Sequence, residues 1–413
     1  PISLQWTFGD GSDPSTEANP VHTYTENGSY TAQLVATDAN GQTGFANVSI
    51  VVGNQAPSVT ITFPDNGGVF EWGDQVRYVV EVEDPDGEVD CSNLQMMTAL
   101  GHDAHAHPME ELTGCEGVMQ TARDEGHGLE ANIFWVLEAF YTDDGREVGG
   151  PLPTNSLQLQ SLPPKLLQAE YYTSTGRLPG SASTGDPGVQ TEQTSDSAGG
   201  GQNLGYIEVD DWWAYAPMSL YNVEGLGMRV ASPSGGTVSV RWDAPDGPEI
   251  GRVTVPNTGD WQAYTMATTA ITDVPEGTGT LYFVNVAGQM NVNWLEFDGR
   301  GVTDNVRPTI DTFEVTPTEG TAPLEVTASV TATDPEDEAV TFAWDAGLGD
   351  GFVDGTDSFA GTYDRPGTYR LQVRATDERG AYSVEYTTVT VKAPETGPGL
   401  CFSGRSDDFL GTD

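Results

Sequence analysis

The chain has 413 residues, with 62 acidic against 16 basic side chains and a formal net charge of −46. Such a surface repels nucleic acid and anionic membranes, and no apolar run reaches the roughly 18 residues that a spanning helix needs. With 50 Gly, 26 Pro and short alternating apolar runs, the length accommodates several all-β domains rather than one. The charge has two physical readings: Asp-rich loops that bind calcium, or a halophilic surface kept hydrated by its carboxylates.

Residues 1–53 open on WTFGDGS (6–12) and HTY (22–24), followed by YTENGSYTAQLVATDANG (24–41). In the last stretch Tyr30, Ala32, Leu34 and Ala36 share one face of a strand. The pattern returns at 363–380 as YDRPGTYRLQVRATDERG, where Tyr369, Leu371, Val373 and Ala375 alternate with Arg370, Gln372 and Arg374. One dry and one wet face indicate a sandwich strand. The WTFGDG and HTY stretches resemble the signatures of polycystic kidney disease (PKD) domains, immunoglobulin-like β-sandwiches that act as spacers and adhesion modules. The chain starts in mid-pattern at Pro1 and no signal peptide is visible, so the first copy is expected to be cut from a longer chain.

Residues 55–163 begin APSVTITFPDNGGVFEWGDQVRYVVEVEDPDGEVD, again with a sandwich rhythm. Cys91 and Cys115 fall in this segment and are able to pair, whereas Cys401 stands alone in the tail. One disulfide in a chain of this composition favours an extracellular location. Four of the five histidines lie here, His102, His105 and His107 in GHDAHAHP and His127 in EGHG. On an extended chain His105 and His107 share a face with Asp103, and His102 and His127 would complete a transition-metal site. The plainer reading is a polar loop fixed by the disulfide. Hydrolysis at such a site would need a general base, for which Glu110 or Glu111 is nearby, but the spacing matches no hydrolase motif. The segment resembles one found beside PKD domains in secreted multidomain sugar dehydrogenases.

Residues 165–300 hold LQAEYY (167–172), GGGQNLGYIEVDDWWAY (199–215), MRVAS (228–232), VPNTGDWQAYTMAT (255–268) and MNVNWLEFDG (290–299). In this order they resemble carbohydrate-binding module family 6, a jelly-roll sandwich, with Tyr264 where a Trp is usual. A pyranose has an apolar face and a rim of hydroxyls, so its site needs flat aromatics and short polar groups on loops. The resemblance implies that Tyr206 and Trp261 clamp a polysaccharide or other glycan, with Asn291 beside them and Asn293 as a second polar candidate. It also implies a structural calcium held by Glu170 and Asp298, with Glu192 as a third ligand. Trp212 and Trp294 are expected in the core, and one of Trp212 and Trp213 should face outward.

Residues 305–393 form the second PKD-like copy, which carries WDAGLGDG (344–351) at the turn and no His before Tyr363. The tail, 394–413, ends DDFLGTD and resembles the start of a further domain. The expected architecture is therefore a row of β-sandwiches: PKD, His-bearing sandwich, jelly roll, PKD. The expected function is non-catalytic glycan binding and spacing within a larger extracellular protein, with no membrane insertion and any catalytic domain elsewhere in the parent chain. The alternative is an adhesive stalk that contacts neighbouring domains or self-associates; an enzyme reading would rest on the histidines alone.

Overall fold

The computed structural model of the chain describes residues 2–39, 41–53, 55–85, 87–102, 105–122, 127–128, 131–143 and 156–394. Asp103, Cys401 and the tail from 395 onward lie outside them. The protein is all-β. Its helical pieces among the described residues are the 3-10 turns Cys91–Asn93 and Ala169–Tyr171. Among the described residues, no helix is long and apolar enough to cross a membrane. The chain forms two compact units, Pro1–Asn305 and Val306–Asp413.

The first unit starts with a three-stranded antiparallel sheet, Ser3–Thr7, Gly28–Thr37 and Thr43–Val52 in chain order. The turn motif is a stack of rings. Phe8 lies on His22 at 3.9 Å, Tyr24 lies on Tyr30 at 4.4 Å, and the Tyr24 hydroxyl donates to the Phe8 carbonyl at 2.9 Å. Asp10 accepts from the Ser12 hydroxyl and meets His22 Nε2 at 2.7 Å; these contacts hold its carboxyl down to about 2. The second unit repeats the device without the histidine. Tyr363 donates to the Ala346 carbonyl at 2.9 Å and packs on Tyr369 at 4.5 Å. Gly9 and Gly347 both take positive φ and come so close to backbone, at Thr31 and Arg370, that a Cβ would stand 2.7 Å from it. The changed turn sequence therefore keeps the same close approach. Leu371, Val373 and Ala375 are fully buried in that unit beside Trp344 and Tyr363.

The next sandwich pairs two sheets. One runs Ser156–Leu162, Ile133–Tyr141, Leu94–His102, His105–Thr113. The other is built on Gln75–Glu83, with Glu116–Gln120 on one edge and Ser58–Phe63 on the other. Leu94, Met96, Leu100, Trp135, Leu137, Tyr78 and Met119 fill the space between them. The Cys91–Cys115 disulfide closes one end of the hairpin, with Cα atoms 5.1 Å apart. The expected bounds, 55–163, omit one strand. Thr303–Asn305 comes back after the jelly roll and pairs with Gln75 and Val76, on the edge that Ser58–Phe63 leaves at Val79. Thr303 and Asn305 are buried there. A three-residue strand has too little periodicity to announce itself.

The jelly roll has a six-stranded sheet, Gln190–Gln193, Gln202–Gly205, Asn291–Gly299, Val223–Ala231 and Thr265–Ala270, with Leu166–Gln168 also pairing with Asn291–Gly299. Facing it are Ser174–Arg177, Asp211–Met218, Gly279–Gly288, Gly236–Trp242 and Glu249–Val255. Of the adjacent tryptophans, Trp213 is the core residue, stacked on Phe283 at 5.3 Å. Trp212 is half-buried on the outer face, edge-on to Tyr282 at 5.4 Å. The expectation that Trp212 is core is thus reversed: alternation says that the pair divides between faces, not which member goes in. Trp294 is also only half-buried. Its strand slips by one position, Met228 pairing with Leu295 but Val230 with Val292, so the apolar parity changes across it.

Candidate functional site

The stretch 199–215 builds one end of the jelly roll. Three glycines approach the site for separate reasons. Gly199 lies on the Asn293 amide, where a Cβ would stand 2.3 Å away, and Gly201 takes φ +88°. Gly205 leaves room for the Glu192 carboxylate, whose Cδ would be 2.8 Å from a Cβ there. Tyr206 follows with φ +58°, a backbone state that an aromatic residue rarely adopts, and its side chain is 63% exposed.

The acids after it hold that conformation. Asp211 is fully buried and takes both Arg177 Nε at 2.6 Å and Nη2 at 3.0 Å. It also accepts from the backbone N–H of Glu208 at 2.9 Å and of Gly188 at 3.0 Å. Arg177 reaches Glu208 at 2.8 Å, and Asp210 N–H donates to the Asn285 carbonyl at 2.8 Å. The loop under Tyr206 is therefore a closed hydrogen-bonded frame, and the Asp211 carboxylate beside it raises the Arg177 pKa.

Trp261, 42% exposed, sits in the turn after Val255. Asn291 Nδ2 donates to the Trp261 carbonyl at 3.0 Å and to Glu192 Oε1 at 2.7 Å. Asn203 Nδ2 adds a longer bond to Glu192 at 3.3 Å. Glu192 thus lies between Gly205, the residue before Tyr206, and the backbone of Trp261. The next residue, Gln262, accepts from Thr194 Oγ1 at 3.0 Å and Ser195 N–H at 2.8 Å, which ties the Trp261 turn to the glycine-bearing loop. Beneath that loop Asp196 binds Arg229 in bidentate fashion, 2.8 and 3.1 Å, and accepts from Asn293 Nδ2 at 3.0 Å. The Arg229 guanidinium lowers the Asp196 pKa and lies 5.9 Å over the Tyr264 ring. Burial raises the Tyr264 pKa.

Several expected roles change. Asn291 and Asn293 are at most 3% exposed, and their side-chain amides donate to Glu192, Trp261 and Asp196. They position the site from below instead of lining it. Glu192 takes its hydrogen bonds from Asn291 and Asn203, at the Trp261 turn. Glu170 and Asp298 do not meet. Leu166 pairs with Glu296 and Gln168 with Trp294, so Asp298 lies opposite residue 164 while Glu170 continues the other way. Roughly 15–20 Å of strand separates the two positions. Sequence reasoning placed both acids at domain ends but had no register to compare them. Glu170 alone fits a hard cation: its Oε2 is buried without a partner, and burial pushes its pKa up to about 7. Residues that sequence reasoning missed are Asp211, Arg177, Gln262 and Arg229; the signal for the two arginines was the scarcity of basic residues in so acidic a chain.

Among the described residues, one group of three or more metal-capable side chains converges within 4.8 Å, and it consists of His102, His105 and His107. His127 lies against His102, with ring centroids 4.4 Å apart.

Comparison with known proteins matches residues 182–299 to the carbohydrate binding module (family 6), and residues 1–52 and 312–390 to PKD domains. Collagenase ColA of Bacillus cereus is 30% identical over 147 residues, covering 32% of this chain and 14% of the collagenase. The clotting factor G alpha subunit of Tachypleus tridentatus is 32% identical over 138 residues, covering 32% of this chain and 18% of that protein. The chain thus spans less than a fifth of the length of these relatives. A solved β-1,3-glucan-binding family 6 module of Bacillus halodurans is 34% identical, covering 32% of this chain and 95% of its own, with a TM-score of 0.28. A family 6 module of Clostridium cellulolyticum, solved with xylose, is 32% identical with the same coverages and TM-score. The matched domains are binding and spacer modules without catalytic function. From residue 182 to 299, between two PKD domains, the chain carries a family 6 carbohydrate-binding module.

Proposed function

We propose that this chain is the extracellular glycan-binding and spacer part of a longer protein, and that it holds a polysaccharide between Tyr206 and Trp261. The observation that carries the reading is two exposed aromatic residues on loops that Asn291 and Glu192 tie together and ion pairs lock from within. The rings offer stacking surface to the CH faces of a sugar, and Glu192 offers acceptors to its hydroxyls. Asn291 and Asn293 hold these groups in place. A calcium ion at Glu170 is part of the proposal: it would neutralise a carboxylate that burial otherwise penalises. The Cys91–Cys115 disulfide and the collagenase relative support the extracellular assignment.

The test is affinity electrophoresis of the whole chain in gels containing β-glucan, xylan or agarose oligosaccharide, each with calcium and with chelator. Retardation by one polymer, lost in Tyr206→Ala, is the expected result. A folded chain retarded by none of them would overturn the reading in favour of a spacer, and its self-association would then be measured by sedimentation.

A further inference from the structure

The His-bearing sandwich has no part in the proposed sugar site, yet it carries the converging metal-capable cluster found among the described residues. The chain has 62 carboxylates and five histidines. Even so, the three-membered cluster among the described residues is made of imidazoles. His102 Nε2 lies 3.0 Å from His107 Nε2. The His105 ring meets His102 edge-on, with centroids 3.8 Å apart, and the His107 ring lies 5.2 Å from each of the two. Two imidazole nitrogens on one tetrahedral Zn2+ would be about 3.3 Å apart, given Zn–N bonds of 2.0–2.1 Å. The cluster is already near that spacing.

Its place in the sandwich explains how the four come together. Leu94, Met96, Thr98 and Leu100 face the core along their strand, and His102 is the next residue on that face, just past the apolar edge. Across the hairpin His105 pairs with His102, and His107 with Leu100, so all three project to the same side. His127 arrives from the other sheet, on the connection that follows Glu116–Gln120. The disulfide fastens the opposite end of the same hairpin.

We propose that His102, His105, His107 and His127 form a site for a divalent transition metal of the Zn2+, Ni2+ or Cu2+ class, which staples the two sheets at the end of the sandwich away from the disulfide. An all-nitrogen set suits these borderline ions and not Ca2+ or Mg2+, for which the chain has carboxylates in abundance.

The experiment uses the whole chain without a histidine tag, dialysed against micromolar Zn2+ in excess Ca2+ to occupy the acidic surface. Elemental analysis should find one zinc per chain. His102→Asn combined with His107→Asn should weaken binding at least ~100-fold, beyond what loss of a supporting outer-shell partner does, while His22→Asn leaves it unchanged. His107 is exposed and His102 lies past the apolar edge, so near-ultraviolet circular dichroism should show the double variant folded. X-ray absorption at the zinc edge on the unmodified chain gives an independent readout, expected to show three or four imidazole nitrogens at about 2.0 Å. No bound zinc, binding that survives the double variant, or an oxygen-only shell would each overturn the proposal.

Discussion

Replacing Trp261 with Ala removes one wall of the proposed sugar site. The ring is 42% exposed, and the contact that fixes its turn is made by its backbone carbonyl to Asn291. A tryptophan presents up to about 250 Å², so roughly 100 Å² faces solvent here and is open to a sugar. At about 25 cal/mol per Å² full coverage is worth ~2.5 kcal/mol, and coverage of one face about half of that. Trp261→Ala should therefore lower glycan affinity by ~10- to 70-fold, apart from the stability lost with the covered part of the ring. Asn291→Ala is the counter-test. It removes two hydrogen bonds, one of them to a carboxylate, and should lower stability by about 2–3 kcal/mol as well as loosening the Trp261 turn. Calorimetric titration with the polymer that binds the unmodified chain, paired with thermal unfolding, separates the two effects. If Trp261→Ala binds as tightly as the parent, the ring is not a sugar platform and the argument fails at its first step.

Four further outcomes are expected. Asp211→Ala should lower stability by about 3–5 kcal/mol in urea unfolding, because it strands a largely buried Arg177 and two backbone N–H groups; a loss below 1 kcal/mol would mean that the frame under Tyr206 is not rigid. Reducing Cys91–Cys115, which closes a span of 24 residues, should lower the stability of its sandwich by about 3 kcal/mol, read as a shift in its urea midpoint. In chelator, Glu170 keeps its proton in the folded state up to about pH 7 but loses it near 4.5 when unfolded. Folded protein then binds more protons than unfolded, so this contribution is full below pH 4.5 and is lost as pH rises through 7; allowing for partial exposure it amounts to about 1–2 kcal/mol, absent in Glu170→Gln. With a net charge of −46, the chain should also gain stability as NaCl rises from 10 mM, where screening reaches about 30 Å, to 1 M, where it reaches about 3 Å; a flat Tm would dismiss a high-salt role for the acids.

The β-sandwich class was legible because it rests on period-2 alternation, which survives in strands such as Tyr369–Ala375 and in the aromatic turn motifs. What lay beyond the sequence was relational. Whether Trp212 or Trp213 enters the core depends on which side the facing sheet occupies. Glu192 was expected as a third calcium ligand, and only its pairing with Asn203 and the bond from Asn291 connect it to the Trp261 turn. Asn291 and Asn293 were expected beside the sugar, but nothing in the chain told that the 194–201 loop would cover Asn293. The Glu170 and Asp298 pairing failed for want of a register. Thr303–Asn305 was missed because its partner lies more than two hundred residues earlier.

That late strand has a mechanical consequence. The chain enters the sandwich through Ser58–Phe63 and leaves it through Thr303–Asn305, and both are hydrogen-bonded to the same strand, Gln75–Glu83. Tension applied between these two points passes through that strand. The jelly roll, strung between them, stands outside the load path as a side branch. A tether that is pulled at its ends would stretch its sandwiches while the proposed sugar site at Tyr206 and Trp261 stays slack and keeps its shape.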